Sequence, residues 1–189
     1  PPNTLLLFRL GDFYEIFLDD AVTGAPIMGI TLTKRHGMPM AGIPYHAVDN
    51  YIEKLLAAGK KVAICDQMEA PQPGKIVKRA LTRILSPGTT IEDHQSNART
   101  NNFLLAVDWE KSTLQAAWLD LSTGYFQLAS DPSPENLLAV FSSINPREII
   151  IPEEAANDWK NDEDLKSWAE SFFQFCQGRP INELPAYHF

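Results

Sequence analysis

The stretch TLLLFRLGDFYEIF, residues 4–17, decides how the first half of the chain folds. Its two apolar runs flank Gly11 and Asp12, and a Gly-Asp pair between such runs is typical of a tight hairpin turn. The pattern predicts two antiparallel strands, TLLLFRL and FYEIF. Alternation along the second strand places three side chains on one face: Phe13, Glu15 and Phe17. It turns two others to the opposite face: Tyr14 and Ile16.

The spacing leaves two interpretations of the face that carries Phe13 and Glu15. In the first, Phe13 and Phe17 are buried in a core and Glu15 lies at its wet edge, because large apolar side chains are usually buried. In the second, Phe13 and Glu15 are exposed beside the turn and form a site. Periodicity does not distinguish between the two.

Beyond the hairpin, the first half mixes helices and strands. A short helix is predicted from Asp19, because Gly24 and Pro26 soon follow. Residues 45–59 space their apolar side chains at helical intervals and end at Gly59. Further strands are predicted at GITLTKR, KKVAICDQM and RALTRILSPGT, residues 29–35, 60–68 and 79–89. Loops are predicted at HGMPMAGIP and EAPQPGK, residues 36–44 and 69–75.

The second half has a different pattern, with three strands joined by short turns. These strands are NFLLAVDWE, TLQAAWLDLS and GYFQLAS, residues 102–110, 113–122 and 124–130. Their spacing is typical of an antiparallel meander. A helix at 133–144, a strand at 147–153 and an acidic helix at 161–176 follow, with Ser133 and then Asn161 or Asp162 as predicted caps. This order resembles the layout of ribonuclease H, although a shared layout does not establish nuclease function.

The chain is therefore predicted to be α/β throughout, with a mixed-sheet domain over residues 1–97 and a ribonuclease-H-like domain over 98–189. Charge divides at the same place, since the first range holds 10 basic and 10 acidic residues and the second holds 6 and 14. Phosphate contacts supply most non-specific affinity for nucleic acids. The net charge of −8 disfavours nucleic-acid binding by the chain as a whole, whereas a neutral first half with local basic clusters is less unfavourable.

Basic residues of the first half cluster in three places. The clusters comprise Lys34 and Arg35; Lys60 and Lys61; and Lys75, Lys78, Arg79 and Arg83. Each cluster taken alone is typical of solvated loop charge.

Several catalytic chemistries lack their sequence signals. The chain has no Gly-x-x-x-x-Gly-Lys-Ser/Thr phosphate loop and no Gly-x-Gly-x-x-Gly, so nucleotide hydrolysis is not expected. Four histidines and two cysteines show no metal-ligand spacing. One alternative is a metal-dependent nuclease that uses Asp108 and Asp120, which lie in or beside neighbouring strands. Solvated strand ends are the simpler interpretation of both carboxylates.

Four blocks of the first half resemble the start of the MutS family of DNA mismatch-recognition proteins. In order they are LLLFRLGDFYEIFLDDA, ITLTKR, PMAGIPYHAVDNYIEKLLAAGKKVAICDQ and RILSPGT. Residues 98–189 are similar to the family's connector domain by position and strand pattern. The loop HGM, residues 36–38, is shorter than is common in the family.

The resemblance implies a role for Phe13 and Glu15 as the family's Phe-x-Glu element, which touches a mispaired base from the minor groove. Among the basic clusters of the first half, we predict Lys34, Arg35, Arg79 and Arg83 as phosphate contacts. The resemblance further implies that the second half is a connector that contacts MutL. It also implies that the full-length protein is a homodimer and binds ATP and Mg²⁺ in regions outside this chain. A module that only docks other proteins, through its acidic second half, is the remaining alternative.

The composition and the ends of the chain complete these expectations. There is no apolar run of about 18 residues and no signal-peptide order, and the two cysteines suit a reducing, cytoplasmic setting. The chain starts PPNT without methionine and stops at AYHF, which leads us to expect a piece of a longer protein.

Overall fold

The computed structural model describes residues 4–69, 77–90, 101–110, 112–185 and 188. The chain divides into two compact units, residues 1–86 and 87–189, and each has its own hydrophobic core. The predicted boundary at residue 97 lies outside the described residues, as does most of the predicted loop 69–75. None of the helices in the described part is long and apolar enough to cross a membrane.

The first unit contains a six-stranded mixed sheet. Its strands are β1 (Thr4–Leu10), β2 (Phe13–Phe17), β3 (Thr33–Arg35), β4 (Met38–Pro44), β5 (Lys61–Gln67) and β6 (Arg79–Leu85), in the spatial order β3-β4-β2-β1-β5-β6. Only β1 and β5 pair in parallel. The helices are α1 (Leu18–Met28), a 3₁₀ turn (Tyr45–Ala47) and α2 (Val48–Ala57). The predicted mixed-sheet α/β class is confirmed.

The opening hairpin folds as its sequence predicts. Leu10 pairs with Phe13 across the Gly11-Asp12 turn. Tyr14 and Ile16 are buried, together with Leu5 and Leu7 of β1, in the core beneath α1 and α2. One face of the sheet therefore carries the core, and the predicted alternation along β2 is confirmed.

The loop predicted over residues 36–44 is wrong, because Met38–Pro44 forms β4. His36 and Gly37 both have positive φ angles, 50° and 82°, which suits the two-residue turn of a β-hairpin. The prolines suggested a loop, yet Pro39 pairs only with the short edge strand β3, where a missing N–H is tolerated. The strand predicted at 29–35 is correspondingly shorter.

Helix α1 continues through Gly24 and Pro26 to Met28 and is longer than the sequence predicts. Gly24 lies against the core, where an added Cβ would be 3.0 Å from Cδ1 of Ile16. Close packing there outweighs the low helix propensity of glycine. Pro26 lies in the last turn, just before Gly29 ends the helix in the left-handed region at φ 71°.

The second unit contains a five-stranded sheet with the layout expected for ribonuclease H. Its strands are β7 (Phe103–Glu110), β8 (Thr113–Asp120), β9 (Tyr125–Asp131), β10 (Glu148–Pro152) and β11 (Ile181–Leu184), in the order β11-β10-β7-β8-β9. The first three form the predicted antiparallel meander, and β10 pairs in parallel with β7 and β11. The predicted fold class is confirmed, whereas β11 was not predicted.

The helices of the second unit are α3 (Pro134–Ile144), α4 (Ala155–Asn161) and α5 (Lys166–Phe175). The single helix predicted over 161–176 is wrong at its start. The carboxylate of Asp162 accepts hydrogen bonds from the N–H groups of Asp164 (2.9 Å) and Leu165 (3.1 Å), which turns the chain between α4 and α5. Ser133 stands at the N-terminus of α3 as predicted, but its side chain makes no capping hydrogen bond.

Candidate nucleic-acid interface

Phe13 is exposed at the first position of β2, directly after the turn. Its side chain is 47% exposed, whereas Tyr14 and Ile16 on the opposite face are 5% and 1% exposed. The interpretation in which Phe13 is part of a core is therefore wrong. Phe13 and Glu15 lie on the side of the sheet away from α1 and α2, which we call the outer face.

The outer face carries further exposed apolar side chains. The strand registers place these residues on it: Leu6, Met38, Leu81 and Ile84. Exposed apolar patches of this kind mark interaction surfaces on proteins. Phe13 lies beside the Gly11-Asp12 turn, and its ring is near the Glu15 side chain, since a Cβ added at Gly42 would lie within 4.0 Å of both.

Tyr14 fixes the strand from the core side. Its hydroxyl donates a hydrogen bond to Asp66 of β5, and Asp66 also accepts one from the Thr82 hydroxyl at 2.6 Å. Burial, aided by the bond to Asp66, raises the pKa of Tyr14. Burial alone would raise the pKa of Asp66, but the hydrogen bonds from Thr82 and Tyr14 outweigh it and lower that pKa. A neutral Tyr14 and an ionised Asp66 therefore hold β2 in place.

Arg9 and Tyr45 hold the turn beside Phe13. The Arg9 guanidinium lies 3.9 Å from the centre of the Tyr45 ring, and its Nε donates to the carbonyl of Gly11. The N–H of Tyr45 donates to the carbonyl of Asp12 at 2.9 Å. Sequence reasoning missed Arg9, although a single arginine between apolar residues of a strand was the available signal. These contacts limit how far Phe13 can move.

Glu15 lies on the outer face between β1 and β4, opposite Phe8 and Gly42. Its side chain is 15% exposed, and its Oε2 is 3.4 Å from Nη1 of Arg35, a residue of β3. Gly42 has no side chain, and an added Cβ would lie 3.6 Å from Cγ of Glu15 and 4.0 Å from Cδ1 of Phe13. Strand β4 therefore presents no side chain next to Glu15.

The four predicted phosphate contacts do not gather at one place. Arg35 pairs with Met38 and shares the outer face with Glu15, whereas Lys34 pairs with Pro39 and projects from the opposite face. Arg83 is exposed but lies opposite Ile64 on the core side, where its charge helps to lower the pKa of Asp66. Of these three residues, only Arg35 lies beside Glu15.

Arg79 lies on the outer face but is engaged by the fold. Its Nε donates to the carbonyl of Arg9 at 2.9 Å and its Nη1 to that of Val77 at 3.0 Å. Its guanidinium also lies 5.2 Å from the centre of the Phe8 ring. The structure therefore gives Arg79 a role in linking β6 to β1, which lies on the other side of β5 in the sheet.

The nuclease alternative required Asp108 and Asp120 to share a metal ion, and the structure separates them. Asp120 on β8 lies opposite Phe103 on β7. Asp108 is five residues further along β7 than Phe103, so about 17 Å of strand separates the two carboxylate positions. The odd spacing also puts the two side chains on opposite faces. The described residues contain no group of three or more potential metal ligands.

Asp120 is fully buried, which overturns its interpretation as a solvated strand end. Its carboxylate accepts hydrogen bonds from the N–H (2.9 Å) and hydroxyl (2.6 Å) of Ser122 and from the N–H of Asn102 (3.3 Å). Burial alone would raise its pKa, but these donors outweigh burial and lower the pKa. Asp120 thus shapes the turn after β8.

Comparison with known proteins agrees with this architecture. The family model of MutS domain I matches residues 1–94, and that of MutS domain II matches residues 102–175. The DNA mismatch repair protein MutS of Flavobacterium psychrophilum is 44% identical over 165 residues, which are 84% of this chain and 19% of that protein. The same-named protein of Bacteroides fragilis is 46% identical over 156 residues, 79% of this chain and 18% of that protein.

Both of these relatives carry the name DNA mismatch repair protein MutS. Two successive domain models of one family match along the chain in order. The chain therefore belongs to the MutS family. It spans about a fifth of the length of the curated relatives that it matches.

Proposed function

We propose that Phe13 and Glu15 recognise mispaired or unpaired bases in duplex DNA, with Phe13 as an aromatic wedge and Glu15 as a hydrogen-bonding group at a base edge. The observation that carries the proposal is that Phe13 is exposed, while the residues on either side of it, Asp12 and Tyr14, are held by hydrogen bonds. Tyr14 and the Asp12 carbonyl are both hydrogen-bonded to other elements. A wedge must be rigid to transmit force to a base stack.

A wedge of this kind detects errors by their deformability. Inserting an aromatic side chain between base steps unstacks them and kinks the duplex, which costs a few kcal/mol per step. A mispair lowers that cost because its stacking and pairing are already weak. One residue can therefore sense many chemically different errors.

Glu15 contributes discrimination and little affinity. A carboxylate close to phosphates is repelled, and its desolvation is costly unless it is hydrogen-bonded. The interaction of Glu15 with DNA becomes favourable where a displaced base donates a hydrogen bond to the carboxylate, or where the carboxyl group takes up a proton. Glu15 therefore opposes binding to matched DNA and favours binding to a mispair.

The remaining parts of the proposal concern the full-length protein. We propose that it is a cytoplasmic homodimer that uses ATP and Mg²⁺ in regions beyond this chain, and that the second unit contacts a MutL-type partner. The chain itself is proposed to be non-catalytic. Residues Lys34, Arg79 and Arg83 remain predicted phosphate contacts, and Arg35 is the best placed of the four.

A fluorescent base analogue tests the wedge directly. With 2-aminopurine beside a mispair, binding of the full-length protein should raise fluorescence, because unstacking relieves its quenching. Phe13→Ala should abolish the rise while the protein stays bound at saturating concentration. Phe126→Ala is the matched control, since Phe126 of the second unit is 58% exposed. An undiminished rise in Phe13→Ala would refute the wedge.

A further inference from the structure

The ion pair between Glu15 and Arg35 links the proposed recognition element to a basic residue two strands away. Arg35 belongs to the edge strand β3 and is 56% exposed, whereas the Glu15 side chain is 15% exposed. On β4, which lies between them, the position level with Glu15 is Gly42, which has no side chain to cover the carboxylate. Both ends of the pair lie on the outer face.

The pair is weak enough to break on binding. Its N···O distance of 3.4 Å is long for a charged hydrogen bond. Because its Arg35 end is 56% exposed and screened by solvent, the pair changes an equilibrium by about fivefold at most. A DNA phosphate is a strong competitor for a guanidinium, because it offers bidentate, charge-assisted hydrogen bonds.

We propose that Glu15 withholds Arg35 from DNA phosphates until a mispaired base engages the Glu15 carboxylate. On matched DNA the carboxylate finds no base partner and keeps Arg35. At a mispair Glu15 turns to the base edge, and Arg35 becomes free to bind a phosphate. This inference rests on the proposed function of Glu15 and adds Arg35 as a specificity-determining residue.

Two different causes can make a Glu15 variant bind matched DNA more tightly. Glu15→Gln is expected to raise affinity for matched DNA. If Glu15→Gln raises affinity only by removing the repulsion between the carboxylate and the DNA phosphates, the gain in affinity does not need Arg35. The gain is then larger in an Arg35 variant, because the positive charge of Arg35 no longer offsets the carboxylate charge. If the cause is the release of Arg35, the gain requires Arg35. The size of the gain in an Arg35 variant therefore decides between the two.

The experiment is a double-mutant cycle in the full-length protein, with Kd measured on matched and mismatched duplexes over a series of salt concentrations. Glu15→Gln should tighten matched binding by about two- to fivefold and steepen the salt dependence by about 0.9 in log Kd per log salt, the value for one added phosphate contact. In the Arg35→Gln background the gain should be smaller. Arg35→Met, which keeps the stem, should behave in the same way.

Lys34→Gln is the matched control, because Lys34 directly precedes Arg35 in β3 and projects from the opposite face. Since Lys34 is itself a predicted phosphate contact, only the size of the Glu15→Gln gain is compared and not the affinity of the single variant. It should leave the Glu15→Gln gain unchanged. Arg35→Gln alone should reduce the salt slope on mismatched DNA by about 0.9 and change the matched slope less. The coupling between Glu15 and Arg35 should therefore differ between the two duplexes.

An equal or larger Glu15→Gln gain in the Arg35→Gln background overturns the inference, as does an equal loss of salt slope on both duplexes. Its failure is distinguishable from failure of the proposed function. If Phe13→Ala and Glu15→Gln still reduce mismatch preference while the cycle shows no such coupling, only the role of Arg35 is wrong. If neither variant changes that preference, the proposed function itself is wrong.

Discussion

Phe13 and Tyr14 are neighbours in β2, yet the first is 47% exposed and the second 5% exposed. The Tyr14 hydroxyl is hydrogen-bonded to Asp66 on the core side, while Phe13 points away from the core beside the turn. One residue of the pair anchors the strand, and the other is exposed on the outer face. Stability and recognition should therefore be separable by mutation.

Phe13→Ala should lower the free energy of unfolding by only about 1 kcal/mol, because about half of Phe13 is already exposed in the folded state. Ile16→Ala, a substitution on the opposite face of the same strand, should cost about 2–5 kcal/mol. Urea unfolding of both variants measures the difference. A loss as large for Phe13 as for Ile16 would return Phe13 to the core.

Gly88→Ala should destabilise the second unit by about 1–3 kcal/mol. An added Cβ would lie 2.8 Å from Cβ of Glu148, whose buried carboxylate accepts the Gly88 N–H at 2.8 Å. Gly42→Ala is the control, since its nearest neighbour would be at an ordinary 3.6 Å. Thermal melts that rank the two substitutions in the reverse order would contradict this account.

Asp120→Asn should cost about 1–3 kcal/mol, because the buried carboxylate accepts three hydrogen bonds that an amide cannot all accept. Asp108→Asn should cost less, about 1 kcal/mol or below, because Asp108 is half-buried and its carboxylate accepts the N–H of Trp109 at 2.7 Å, a bond that an amide oxygen can also accept. Denaturant unfolding of the two variants provides the comparison. Similar costs for both would show that burial does not set the role of Asp120.

Acid should remove the contribution of Asp120 to stability. Its pKa in the folded state lies below the ordinary 3.8, so the ionised form favours folding above that value. This stability is lost as pH falls through the lowered folded pKa. Asp120→Asn should accordingly flatten the fall in stability as the pH drops below the ordinary carboxyl pKa of 3.8. A variant with an unchanged acid slope would exclude Asp120 as a source of that slope.

The hairpin and the meander could be predicted because local signals and tertiary structure agree there. Gly11-Asp12 between apolar runs is a turn signal that needs no distant contact, and alternation then fixes which side chains share a face. The same reasoning failed at β4, where two prolines suggested a loop. The pairing of β4 with β2 and β3 decides its conformation, and such pairing is not visible in local composition.

The exposure of Phe13 could not be predicted from spacing, because a face with Phe13 and Phe17 suits a core equally well. Within the described residues of the first unit, both helices pack on the core side of the sheet, and this tertiary arrangement leaves Phe13 exposed. The Glu15–Arg35 contact depends on the β3-β4-β2 order, which joins residues 20 positions apart. The burial of Asp120 was missed because one of its three hydrogen bonds comes from Asn102, which is 18 residues away in the sequence and is brought close only by the pairing of β7 with β8.

The most direct test of the central claim is the ratio of affinities for mismatched and matched duplexes, measured in parallel for the full-length wild-type protein, Phe13→Ala, Glu15→Gln and the control Phe126→Ala. Phe13→Ala should bind mismatched DNA no more tightly than matched DNA. Glu15→Gln should bind matched DNA more tightly than the wild type and show a smaller ratio. A wild-type ratio retained in Phe13→Ala, or a Glu15→Gln variant that weakens binding to both duplexes alike, would contradict recognition through this pair.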